Sequence, residues 1–260
     1  MRAPHLGLAV LLLVAPAPAA RAQTPAPVDS GQFVIFDRSV PIAHEHYDYR
    51  FMGDSLVVTA TARRQLQDEK GQRHEFKKIM QLVVDSRDLG LMRYVSDQWF
   101  LEHETIRGLL PTDTVLTHYE QTDGAGTAER VVEPPGRLFV LDSQLFTLFD
   151  VLCRSLADKQ FVTRRVQLVA FGRDTLTLPV ATITLGKPDT LLVDARRVPV
   201  RHYSLEDQGV RFELWADAGG RMVRMANEPS GLSVERVLES KPAPAPKHPV
   251  VPRRRPPVRR

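Results

Sequence analysis

Apolar and polar positions alternate with a period of two through most of the chain. In "DSLVVTATARR", Asp54 to Arg64, Leu56, Val58, Ala60 and Ala62 fall on one face, and Val57, Thr59, Thr61 and Arg63 on the other. "GVRFELWAD" sets Val210, Phe212, Leu214 and Ala216 against Arg211, Glu213, Trp215 and Asp217. Such a period describes a half-buried strand. Turn signals separate the runs: "MGD" at 52–54, "DEKG" at 68–71, "TDGAG" at 122–126, "EPPG" at 133–136, "FGRD" at 171–174, "GKPD" at 186–189 and "DAGG" at 217–220. The close spacing predicts antiparallel hairpins, since a parallel pair needs a crossover of roughly a dozen residues or more.

One segment has a different period. "LDSQLFTLFDVLCRSLADK" places Leu145, Leu148, Phe149, Leu152 and Leu156 on a single helical stripe. The spacing predicts a helix over about 143–157, with Asp142 or Ser143 as its N-cap. The stripe needs an apolar partner, and the apolar face of the sheet supplies one. The expected fold is mainly β: a curved antiparallel sheet, or half-barrel, with one amphipathic helix packed in or over its concave face. Cys153 lies within the helix and reads as a small core residue.

The stretch "IAHEHYDYRF", Ile42 to Phe51, raises the first question of chemistry, because two histidines flank a carboxylate. With Gly53-Asp54 as a two-residue hairpin loop, Phe51 faces Leu56, Tyr49 faces Val58 and Tyr47 faces Ala60. Asp48 then meets Thr59, His46 meets Thr61 and His44 meets Arg63. This register gathers apolar residues on one face and leaves both histidines on the polar one. Histidines two apart can share a metal, but a catalytic zinc needs a third protein ligand. Asp37 is the nearest candidate in sequence. A secreted metal-dependent hydrolase using His44 and His46 is therefore the alternative to a non-enzymatic role. No G-x-S-x-G, P-loop, H-E-x-x-H or G-x-G-x-x-G motif is present. Pairs such as Glu102 and Glu104 read as solvated charge. No metal or cofactor is expected on the main reading.

Composition changes the picture at the two ends. Residues 1–22 read as a signal peptide: a basic start at Arg2, a short apolar run from Leu6 to Ala15, and a small-x-small site at Ala20–Ala22. Export with cleavage before Gln23 is expected, to the periplasm or beyond the cell. No cysteine stands where a lipid anchor would attach, and the apolar run is too short to span a bilayer. Residues 23–31 read as a flexible lead-in, 32–240 as one domain, and 241–260 as a disordered basic tail. That tail, "KPAPAPKHPVVPRRRPPVRR", carries seven prolines and seven basic residues and no acid. It reads as a tether to an anionic envelope surface. The chain's net charge of +4 is smaller than the tail's contribution alone, so the domain itself is net acidic. Nucleic acid is not expected as a partner.

"RRVPVRHYSLEDQGVRFELWADAGGRMVRM", Arg196 to Met225, reads as strand, turn, strand ending in W-x-D-x-x-G-R, turn and strand. It resembles exported bacterial domains of unknown function whose sheets are similar to the lipoprotein-carrier (LolA/LolB-like) half-barrel. The resemblance implies an apolar cavity between sheet and helix and carries over no catalytic residue. The expected ligand is a lipid or other apolar molecule, or a partner protein, in the sheet concavity. The candidate contacts are Tyr47 and Tyr49 on the sheet, Leu145, Phe149 and Leu152 on the helix, and Trp215. With Asp217 to Gly220 as the loop, the last hairpin is expected to pair Leu214 with Val223, Phe212 with Met225, Glu213 with Arg224 and Trp215 with Met222.

Overall fold

A computed structural model describes residues 28–67, 70–132, 134, 136–157, 159–171, 176–193 and 195–238. The leader and the basic tail lie outside the described residues. β1 (Asp29–Asp37), β2 (Val40–Met52), β3 (Ser55–Gln67), β4 (Arg73–Asp85), β5 (Leu91–Phe100), β6 (His103–Thr112), β7 (Val115–Thr122) and β8 (Ala125–Val132) pair successively as antiparallel neighbours. The short β9 (Leu138–Leu141) leads into α1 (Thr147–Leu156). There follow β10 (Thr163–Phe171), β11 (Leu176–Thr177), β12 (Val180–Leu185), β13 (Asp189–Val193), β14 (Arg196–Asp207), β15 (Val210–Ala216), β16 (Met222–Asn227) and β17 (Leu232–Arg236).

The first and last of these strands pair with each other, Phe33 opposite Arg236, in the middle of the ladder. From there the sheet runs outward through β2 to β8 on one side, and through β17, β16, β15, β14, β12 and β10 to β9 on the other. Among the described residues β8 is in register with β7 alone and β9 with β10 alone, so the sheet is curved but open, as expected. Among the described residues only the β9–β10 pair is parallel, and α1 lies in its connection. That is where a parallel pair is permitted, because the helix supplies the long crossover.

The β2–β3 register is the predicted one throughout: Phe51 opposite Leu56, Tyr49 opposite Val58, His46 opposite Thr61 and His44 opposite Arg63. Gly53 has a φ of 61°, the left-handed value its loop position requires. The β15–β16 register differs from expectation. Leu214 pairs with Met225, Glu213 with Ala226 and Trp215 with Arg224, and the register slips between Trp215 and Ala216. The causes are a loop one residue longer than expected, with Ala216 opposite Met222, and a bulge, which inserts a further residue that alternation alone does not reveal. Within this turn Asp217 accepts from the backbone N–H groups of Gly219 and Arg221 and from the Arg221 side chain. Gly220 has a φ of 77°, and a Cβ there would lie 2.6 Å from the Ala157 Cβ and 3.0 Å from the Arg154 Cα. The W-x-D-x-x-G-R pattern thus closes a hairpin and docks it on the end of the helix.

The helix is a plug rather than a lid. Every residue from Thr147 to Leu156 except Arg154 is buried. The stripe of Leu145, Leu148, Phe149, Leu152 and Leu156 joins Tyr47, Tyr49, Val58, Met80, Leu168, Leu205 and Leu214 in one core. Cys153 is wholly buried, and burial pushes its thiol pKa upward. The predicted N-cap is not used: the N-cap position is Phe146 and no side chain of that first turn caps it. No described helix is long and apolar enough to cross a membrane.

Candidate ligand-binding groove

A helix enclosed by a sheet brings its unpaired end groups and polar side chains out of water, where each needs a partner. Three carboxylates supply them. Glu45, the residue between the two histidines, points inward on the row of Tyr47 and Tyr49. It accepts the N–H groups of Phe146 at 2.6 Å and Thr147 at 3.0 Å. The cap of α1 therefore comes from β2, a hundred residues away in sequence. Burial raises its pKa to about 7, against the opposing pull of those hydrogen bonds.

Asp142, expected as the cap, is turned away into a second cluster. It accepts Lys78 Nζ at 2.5 Å, the Tyr94 hydroxyl at 2.5 Å and the Ser96 hydroxyl at 3.1 Å. Lys78 is 1% exposed; burial lowers its pKa and the Asp142 charge opposes that shift. The third carboxylate, Asp150, accepts from Tyr49 at 2.6 Å, Arg154 at 2.8 Å, Arg236 at 2.6 Å and the Met222 N–H at 2.6 Å. Burial pushes its pKa up, but the Arg236 and Arg154 charges outweigh this and hold it below the usual range. All four acceptor sites of this carboxylate are used, which is what a buried charge requires.

Beside the N-terminal end of α1 the packing stops short. A groove of about 460 Å³ opens there, inside the range usual for ligand pockets. Phe146 and Phe149 of the helix segment form one wall, and Ile42, Ala43, Ala62 and Phe76 of β2 to β4 another. Arg64, Gln144 and Asp207 stand around it. Arg64 Nε, Gln144 Oε1 and Asp207 Oδ1 are shielded from solvent and have no hydrogen-bond partner among the described residues.

The predicted contact residues divide. Phe149 lines the groove. Tyr47, Tyr49, Leu145 and Leu152 are buried in the core and do not reach it, and the two tyrosine hydroxyls are held by Arg236 and Asp150. Trp215 is on the other face of the sheet, stacked on His202 at 4.9 Å with the Arg224 guanidinium 5.6 Å from its ring. His44 and His46 are exposed, and Gln32 donates to His44 Nδ1 at 2.7 Å. On the neighbouring strand Val34 faces His44 and Gln32 faces His46, whereas Asp37 faces Val40. Among the described residues no three His, Cys, Asp or Glu side chains are grouped to hold a metal. The hydrolase reading has no support. Sequence reasoning missed Glu45, Lys78, Asp142, Asp150 and Arg236 as anchors. A signal existed for Glu45, since the alternation that turns His44 and His46 outward turns it inward.

No family model matches the chain, and no curated protein matches it. Among solved structures it is similar to a beta-barrel-like protein of the domain of unknown function DUF1849 from Brucella abortus. The TM-score is 0.54 at 9% identity, over 80% of this chain and 94% of that one. A DUF1089 family protein from Pseudomonas aeruginosa matches with a TM-score of 0.42 at 13% identity, over 81% and 94% of the two chains. The first of these likenesses defines a fold, a beta-barrel-like domain of unknown function.

Proposed function

We propose that this protein is an exported, non-enzymatic binder of a lipid or other apolar molecule, held in the groove beside α1. The observation that carries the reading is the groove itself: a space of about 460 Å³ walled by aromatic and aliphatic side chains. The sequence resemblance of Arg196 to Met225 to carrier half-barrels agrees with it. The leader at 1–22 supports export, and N-terminal sequencing of the exported form should begin at or near Gln23. The basic tail at 241–260 supports attachment to an anionic envelope surface, which salt would weaken.

Titration of the folded protein with a neutral apolar fluorophore tests the groove. Saturable binding is expected, and Ala43→Phe, which places a ring in the groove from β2, is expected to abolish it while the protein stays folded. Absence of saturable binding by the wild type would overturn the reading.

A further inference from the structure

The groove's polar atoms narrow the class of ligand. The inward row of β3 runs Leu56, Val58, Ala60 and Ala62, and by the same alternation its next member is Arg64. The cross-strand neighbours of Arg64 are Ala43 and Phe76, both apolar, so neither position directly opposite it holds a carboxylate. The inward row of β14 runs Tyr203 and Leu205 and ends in Asp207, whose cross-strand neighbour is Val210. Two rows of one interior thus finish at the same groove with opposite charges, and among the described residues neither Arg64 Nε nor Asp207 Oδ1 has a partner.

The other ionisable groups of this interior have partners. Lys78 has Asp142, Asp150 has Arg154 and Arg236, and Glu45 accepts two backbone N–H groups of the helix start. Asp207 lacks such a partner, and burial alone raises its pKa. Gln144 adds a third unpaired atom from a backbone with a φ of 69°, a conformation that costs a non-glycine residue of the order of 1 kcal/mol or more. Unpaired buried polar groups are rare in native proteins because each forfeits its hydration without return. Others occur singly elsewhere in the domain, at the Tyr203 hydroxyl and Trp215 Nε1 for example, but three converge on this apolar groove.

We propose that the groove selects a single-chain amphiphile with a zwitterionic head, its anionic group at Arg64 and its cationic group at Asp207. The inference rests on the apolar-ligand reading above and adds the head. A fatty acid would satisfy Arg64 but bring a second anion to Asp207. A neutral monoacylglycerol would offer hydrogen bonds and leave both charges without a counter-ion. A lysophosphatidylethanolamine presents a phosphate to the guanidinium, an ammonium to the carboxylate and an N–H to Gln144 Oε1, while its chain occupies the space between Phe149, Phe76 and Ile42.

Displacement of the neutral fluorophore from full-length protein tests this, with lysophosphatidylethanolamine, fatty acid and monoacylglycerol of one chain length, each below its micellar concentration. The zwitterion is expected to displace at concentrations about tenfold lower than either competitor, the worth of one charge-assisted contact. Arg64→Gln should weaken the zwitterion and the fatty acid about tenfold and leave the monoacylglycerol unchanged. Asp207→Asn should weaken the zwitterion and tighten the fatty acid, an opposite response that a merely structural role would not produce. Equal affinity for the three heads, or equal effects of both substitutions on all of them, would overturn the inference and leave the apolar groove standing. A fluorophore that does not bind at all would overturn both.

Discussion

The two sides of α1 are built on different principles. The side that carries Asp150, in the first turn, and Arg154, in the last, is locked. Asp150 uses both oxygens fully, Arg154 reaches across to Asp29, Arg236 joins β17 to the helix, and Gly220 lets the last hairpin sit against the backbone at Arg154. The other side, at the helix start, is held by a carboxylate from another strand, on the protonation edge near pH 7, and borders a groove with three unpaired polar atoms. Buried charge serves rigidity on one side. On the other it is left unspent, and unsatisfied groups are where a folded domain has most to gain from a ligand.

The sharpest way to break this contrast is to remove a charge from the locked side. Asp150→Ala leaves Arg154 and Arg236 without their shared carboxylate inside the core and should cost about 3–5 kcal/mol in urea melts. A loss below about 1 kcal/mol would mean that the network is incidental to stability. Phe149→Ala comes next. Its ring borders the groove, so the space it vacates joins one already open. The loss should fall below the roughly 3–5 kcal/mol of a fully packed phenylalanine, and uptake of a neutral apolar fluorophore should change. A full core-sized loss with no effect on uptake would make the groove a packing defect.

Glu45 gives a smaller effect with a sign. Its folded pKa of about 7 stands above the ordinary 4.5, so the folded state holds the proton more tightly than the unfolded chain. Its contribution is fully present below pH 4.5 and declines as pH rises to about 7, by no more than about 1.4 kcal/mol per pH unit. Glu45→Gln removes this titration. The stability of wild type relative to the variant should therefore be greater at pH 5 than at pH 8 by chemical melts. A difference of the opposite sign would require a carboxylate stabilised in its charged form. The smallest effect is expected on the open side. Arg64→Gln removes a group that makes no bond through Nε and should change stability by no more than about 0.5 kcal/mol, with its consequence appearing in ligand affinity.

The contrast between the two sides was only partly legible beforehand. Alternation in Ile42 to Arg64 specified the β2–β3 register residue by residue, because a one-position slip would turn Tyr47, Tyr49 and Val58 to water. The helical stripe of Leu145 to Leu156 announced α1. The groove was not legible, because Phe149, Ala43, Phe76 and Asp207 come from four distant segments whose meeting depends on how far the sheet curls. The same holds for the cap: a capping residue is sought within a few positions of a helix, and Glu45 lies a hundred away. Trp215 falls outside the groove because alternation puts it on the face opposite to Leu214 and Ala216, away from the interior.

The amino-acid sequence by itself determined which faces of β2, β3 and β15 are buried, where many of the turns fall, and that one apolar helix must pack in or over the concave face of the sheet, because periodicity and turn chemistry are local properties. The tertiary structure alone decided which charges are paired. Glu45, Asp142, Asp150, Arg64 and Asp207 are equally ordinary as letters, and each is a cap, an ion-pair partner or an open contact only through the neighbours that the curled sheet brings to it. Burial makes such neighbours decisive, since a charge out of water must find its counter-charge in the protein or in what the protein binds.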